Sequence, residues 1–278
     1  MDPDDPGCEN PDLDGVIVPD PSRVADDTAK RPGCWAQHGV EDVNVCQIGP
    51  ETGYSARLFA VGDSHNTSLI PAYEKIAETY NWRIDLTGHA GCYWSTADLK
   101  LNNPEQDESC RGWRAHLATY LDANEFDAIL ATHATSVSIH RPEGTTREDA
   151  IVDGLVGAWR TQTSRGTPVV AIVDNPGTDE GNVQCVEKFG LSDPDRCATP
   201  RRIGLKRFDG NAEASAQVER TRVVDMTDFY CTDTVCPSVI GGVAVFRDRT
   251  HVTATFMTTL APYLGRDLEK ALKALKAI

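Results

Sequence analysis

The 278-residue sequence has no CxxC pair, no apolar run near the roughly 20 residues a membrane-spanning helix needs, and no N-terminal segment that is basic and then apolar. Without CxxC, a zinc ribbon or a redox dithiol has no framework. The longest clean apolar run, "PVVAIV" at 168–173, has the length of a strand, and the opening "MDPDDPGCENPDLDG" cannot direct its own export. Positive charge is also scarce. With 27 basic against 42 acidic residues the formal net charge is −15, which argues against nucleic acid or anionic lipid as a partner and favours a neutral or cationic one.

What the chain does have is nine cysteines. In one domain without metal-type spacing they read as disulfides formed in an oxidising compartment, outside the cytoplasm. Such a chain without an export signal is expected to be an extracytoplasmic domain of a longer, membrane-anchored protein. Cys34 with Cys46 is expected to staple the N-terminal segment. Cys92 with Cys110, Cys185 with Cys197 and Cys231 with Cys236 bracket turn-rich segments suited to short-range pairing. A loop of about 15 residues closed this way is stabilised by about 3 kcal/mol. Cys8 is then left free or paired outside the chain. The alternative is a zinc site built from Cys231, Cys236 and a histidine.

At 40% hydrophobic residues the chain can bury a core. Residues 1–50, rich in Pro, Asp and Gly, read as an extended leader packed on the domain, and residues 51–278 as the domain itself. Strand-like stretches at 57–61, 83–88, 126–132, 167–176 and 221–229 alternate with helical stripes such as Leu69, Tyr73, Ile76 and Trp113, Leu117, Leu121. That alternation predicts a three-layer α/β/α sandwich around a parallel sheet of about five strands. The end of the chain reads as two helices, from 252 to 263 and from 266 to 278.

In such sheets ligands bind outside the carboxyl ends of the strands. "VGDSHNTS" (61–68) puts Gly62, Asp63 and Ser64 at that edge, where Ser64 is a nucleophile or, like Asp63, a helix cap. A serine needs an imidazole to take its proton, and the imidazole needs a carboxylate to fix its tautomer. "FRDRTHVTATF" (246–256) supplies both, as Asp248 and His251. His65 either lines the pocket or bonds locally at the helix start, and Asp174 and Asn175 read as turn formers. The sequon at 66–68 is set aside, because a glycan there would block the site.

"GDSH" after a first strand, with a late "DxxH", resembles the SGNH (GDSL-type) esterase and acyltransferase superfamily. More narrowly, "VGDSHNTSLIPAYEKIAETYNWRIDLTGHAGCYWS" and "CTDTVCPSVIGGVAVFRDRTHVT" resemble the extracytoplasmic SGNH domain joined to family-three membrane acyltransferases. The resemblance implies Ser64 as nucleophile, His251 as base and acid, and Asp248 as its orienting partner. Oxyanion donors would be the N–H groups of Ser64 and Gly91. The superfamily's third donor is an Asn after strand three. Here that place reads "ATHAT" (131–135), with Thr132 or His133 as substitutes.

The implied activity is acyl transfer, most simply of acetyl, to a cell-envelope glycan or glycolipid. The acyl group would come from a membrane acyltransferase domain of the same polypeptide, with no cofactor or metal required. The rival readings are an esterase with the same triad and a catalytically inactive glycan-binding domain.

Overall fold

The computed structural model describes residues 11–29, 31 and 33–278. Seven strands form its main sheet: β1 (Trp35–Ala36), β2 (Cys46–Ile48), β3 (Ala56–Gly62), β4 (Trp82–His89), β5 (Ala128–Ala131), β6 (Val169–Ile172) and β7 (Thr221–Val224). The order runs β4, β3, β5, β6, β7, all parallel. On its outer side β4 pairs with β1 in parallel and with β2 antiparallel. The five expected strands form the parallel core. The two short ones were hidden by the Pro- and Gly-rich composition around them, and their strand character comes from pairing with β4 and not from any local apolar pattern.

Helices cover both faces. α1 (Ser64–Ser68) and α2 (Ile70–Tyr80) follow β3, α3 (Pro104–Ala123) follows β4, α4 (Arg147–Thr163) follows β5, and α5 (Ala254–Leu275) closes the chain. The period-2 alternation of β3 assigns its side chains. Leu58 and Ala60 pack with Ile76 of α2 and Leu264 of α5, while Phe59 and Val61 pack with Trp113 of α3 and Trp159 of α4. Both faces are buried, as expected of a parallel strand.

α5 corrects the expectation of two terminal helices. Pro262 sits within it, exposed, and the helix runs on. Leu260, Leu264, Leu268 and Leu272 are buried along one stripe. At about 1.5–3 kcal/mol each, their burial outweighs the ~3 kcal/mol cost of an internal proline. Asp27, far upstream, holds the helix start: its carbonyl accepts the Ala254 N–H at 3.2 Å and its Oδ2 accepts the Thr255 N–H at 2.9 Å.

Four disulfides join Cys34–Cys46, Cys92–Cys110, Cys185–Cys197 and Cys231–Cys236. The last overturns the zinc alternative, since both of its thiols are consumed in one bond. Cys8 lies outside the described residues. Among the described residues no helix is long and apolar enough to cross a membrane.

The strand order has a functional consequence. From β3 the chain moves to β4 on one side, then crosses to β5 on the other. The resulting crevice lies at the carboxyl end of β3, where Gly62, Asp63 and Ser64 fall.

Candidate active site

β3 ends on a residue that has to be glycine: a Cβ on Gly62 would lie 2.1 Å from the Thr132 carbonyl oxygen. Asp63 follows, fully buried, and it is the cap of α1. Its Oδ1 accepts the His65 N–H at 2.9 Å and its Oδ2 accepts the Ala134 N–H at 2.8 Å, which ties the loop after β5 to this turn.

Ser64 is thereby released from capping. Its Oγ lies 2.8 Å from Nε2 of His251, across 187 residues of sequence. Nδ1 of His251 lies 2.8 Å and 3.0 Å from the two Asp248 oxygens. With the Nδ1 proton directed at that carboxylate, Nε2 is left as the acceptor for the Ser64 hydroxyl. Asp248 Oδ1 also accepts the N–H groups of Thr250 at 2.9 Å and His251 at 2.8 Å, so the four-residue turn is self-bonded. Burial opposes the charge on Asp248, but the His251 ring and these N–H groups hold its carboxyl well below the usual carboxylate range. The aspartate is therefore ionised, and it stays 42% exposed beside a 21% exposed histidine.

The other expected site residues divide. The N–H groups of Ser64 and Gly91 have no hydrogen-bond partner among the described residues, and Gly91 takes the left-handed φ of +63° that glycine adopts freely. Thr132 does not fit the substitute-donor role, because its hydroxyl donates to the Ile172 carbonyl at 2.9 Å. His133 is buried, stacked on Tyr93 with ring centroids 4.6 Å apart, and its Nε2 lies 3.1 Å from the Asp209 carbonyl. A proton on that nitrogen leaves Nδ1 without one, so a neutral His133 offers no second donor.

His65 keeps the expected local bond at the helix start through its N–H to Asp63 Oδ1, and its ring adds one the sequence did not show: Nδ1 lies 2.5 Å from Asp174 Oδ1, and both side chains are 5% exposed. Asp174 and Asn175 are not simple turn formers, since Asn175 Nδ2 donates to the Thr250 carbonyl at 2.8 Å, inside the His251 turn. No signal in the chain joins residues 65 and 174. Only the parallel sheet, by placing the ends of β3 and β6 on one edge, brings them together.

Residues 29–266 match the family described as SGNH domain (fused to AT3 domains). The chain belongs to this SGNH family. Its fold is shared with the periplasmic domain of a lipopolysaccharide acetyltransferase from Salmonella ser. Paratyphi A, at 12% identity and a TM-score of 0.64, over 92% of this chain and 99% of that one. A GDSL-like lipase from Bacteroides thetaiotaomicron aligns at 10% identity and a TM-score of 0.41, over 80% of this chain and 89% of that one. Among curated proteins none matches. SGNH membership carries an acyl-transfer or ester-cleaving role, and AT3 domains stand in the same polypeptide as domains of this family. The four disulfides agree with a position outside the cytoplasm.

Proposed function

We propose that this SGNH domain is a serine O-acyltransferase, most simply an O-acetyltransferase, acting on a hydroxyl of a cell-envelope glycan or glycolipid. The observation that carries the reading is the hydrogen-bonded line from Ser64 Oγ through His251 to Asp248, at 2.8 Å on each side of the ring. Nucleophile, base and orienter stand in the relation acyl transfer requires.

In the proposed sequence His251 Nε2 takes the Ser64 proton as Oγ attacks the carbonyl carbon of the acyl donor. The oxyanion is met by the N–H groups of Ser64 and Gly91. The donor's oxygen leaves with the proton from His251, and Ser64 carries the acyl group as an ester. The acceptor hydroxyl then gives its proton to His251 and attacks that ester, and Oγ recovers the proton. Donor, acceptor and the chain's own groups balance every step, and the scheme draws on no cofactor. The AT3 membrane domain of the same polypeptide is proposed as the source of the donor.

Beside Gly91 lies an open groove of about 360 Å³, lined by His38, Lys100, Leu101, Asn102, Ser136 and Ser138. Hydroxyl, amide, imidazole and ammonium groups there suit a polyhydroxylated acceptor. The lipopolysaccharide acetyltransferase that shares the fold supports acetyl and an envelope glycan as the working substrate class. With Thr132 and His133 committed elsewhere, the oxyanion site holds two main-chain donors. A missing donor is worth about a hundredfold to a thousandfold in rate, so turnover below that of three-donor hydrolases is expected.

The test supplies an activated acetyl ester with and without envelope glycans. A transferase yields O-acetylated glycan in wild type and none in Ser64→Ala. Rapid hydrolysis unaffected by any acceptor would establish an esterase instead. Absence of both reactions would favour the inactive glycan-binding reading.

A further inference from the structure

Adjacent to the nucleophile is a buried ion pair that the acyl-transfer scheme does not use. His65 and Asp174 lie 109 positions apart in sequence. Buried ion pairs commonly stabilise a fold no better than apolar residues of the same volume, so one placed next to Ser64 calls for a local cause.

Its contacts supply one. Asp174 Oδ2 accepts both the N–H and the hydroxyl of Thr135, each at 2.8 Å, which fixes the loop after β5. The Asp174 N–H donates to Asp209 Oδ2 at 3.2 Å. The next residue, Asn175, holds the Thr250 carbonyl, one residue from His251. The rings of His65 and His251 are in contact, with centroids 4.9 Å apart and planes inclined at 53°. The Ser64 turn, the β5 loop and the His251 turn therefore meet on a single pair.

We propose that His65 and Asp174, extended by Asn175, form a positioning unit that sets the Ser64 hydroxyl against the His251 ring. They act through the triad and touch no reacting atom. The proposal rests on the serine-acylation reading above.

The electrostatics of the pocket agree with it. Burial opposes charge on His65, but the Asp174 carboxylate, with Asp63 and Asp248 at longer range, pushes the imidazole up to about 9. Burial likewise opposes charge on Asp174, and His65 with the Thr135 donors keeps its carboxyl below the usual range. The other groups at the pair are the His251 ring against His65, Asp209, whose burial-raised carboxyl accepts the Asp174 N–H, and Tyr230, whose phenol burial pushes up; one step further out, Arg247 lies 3.2 Å from Asp248 and His133 3.1 Å from the Asp209 carbonyl. At neutral pH the pair is an imidazolium beside a carboxylate, and as pH rises through about 9 His65 gives up its proton and leaves the Asp174 charge buried without its counter-charge.

The test is the rate of Ser64 phosphonylation against phosphonate concentration and pH, in wild type, His65→Ala, His65→Gln, Asp174→Asn and Asn175→Ala. Positioning predicts a maximal labelling rate about tenfold lower in His65→Ala and Asp174→Asn, with half-saturation unchanged within about twofold. His65→Gln, which keeps a donor for Asp174, recovers part of that loss. Wild-type labelling declines above pH ~9, and His65→Gln lacks this decline.

Unchanged maximal rates in cooperatively folded variants would overturn the positioning role alone. An unlabelled wild type would overturn the triad reading and the positioning role together. Should Asp174→Asn fail to fold, the Asn175→Ala rate and the wild-type alkaline limb decide.

Discussion

A serine hydroxyl is too weak an acid to attack an ester unaided, and what separates Ser64 from an ordinary helix-start residue is that Asp63 does the capping while Ser64 faces an imidazole. Asp248→Asn tests that arrangement at fixed shape. The amide cannot hold the His251 tautomer, so acylation should fall by about four orders of magnitude, along with some loss of the stability that the ionised carboxylate contributes; a loss of acylation under tenfold, read by stopped-flow labelling, would contradict it. Gly62→Ala tests the turn itself. The added methyl would strike the Thr132 carbonyl backbone at 2.1 Å, so the melting temperature should drop by several degrees or the protein should fail to express. The grouping of Ser64, Asp248 and His251 was legible in the chain because two short motifs carry these residues and together resemble a known superfamily, whereas the spacing alone left Ser64 a nucleophile or a cap. The partner of His65 was not legible, because residue 174 is near it only in the folded sheet.

At the scale of elements, the disulfides lie where the fold needs ordered loops. Cys92–Cys110 spans 18 residues and ties the segment after β4, which carries Gly91, to α3. A loop of that size is worth about 3 kcal/mol, so Cys92→Ser with Cys110→Ser should lower the melting temperature by roughly 5–10 °C. Calorimetry showing no change would remove the disulfide from the list of stabilising features. Long apolar strands and helical stripes were legible, because burial on both faces leaves a dense pattern in the chain. β1 and β2 were not, since two or three residues carry no period. The continuity of α5 through Pro262 is not legible locally, because the buried leucine stripe that outweighs the breaker acts only in the folded molecule.

For the whole molecule, ionisation at the site links stability to pH in both directions. The His65 imidazole is raised from 6.5 to about 9 in the fold. Its contribution is complete below pH ~6.5 and is lost as pH rises through about 9. Asp174 and Asp248 are lowered, so their contribution is present above pH ~3.8 and is lost as pH falls through their depressed values. Stability read by denaturant melts between pH 3 and 10 should therefore be highest between about pH 4 and 6.5, and the decline toward pH 9 should be smaller in His65→Gln. A flat alkaline side in wild type would mean that His65 is neutral in the fold. The net charge of −15 adds self-repulsion at high pH, but His65→Gln shares that background and so separates the two effects.

The most direct measurement is intact mass with peptide mapping after treatment with a serine-directed phosphonate. One adduct is expected, on Ser64, absent from Ser64→Ala and formed at least a thousandfold more slowly in His251→Ala. A wild-type protein that takes no label, or a label that persists in Ser64→Ala, would contradict it.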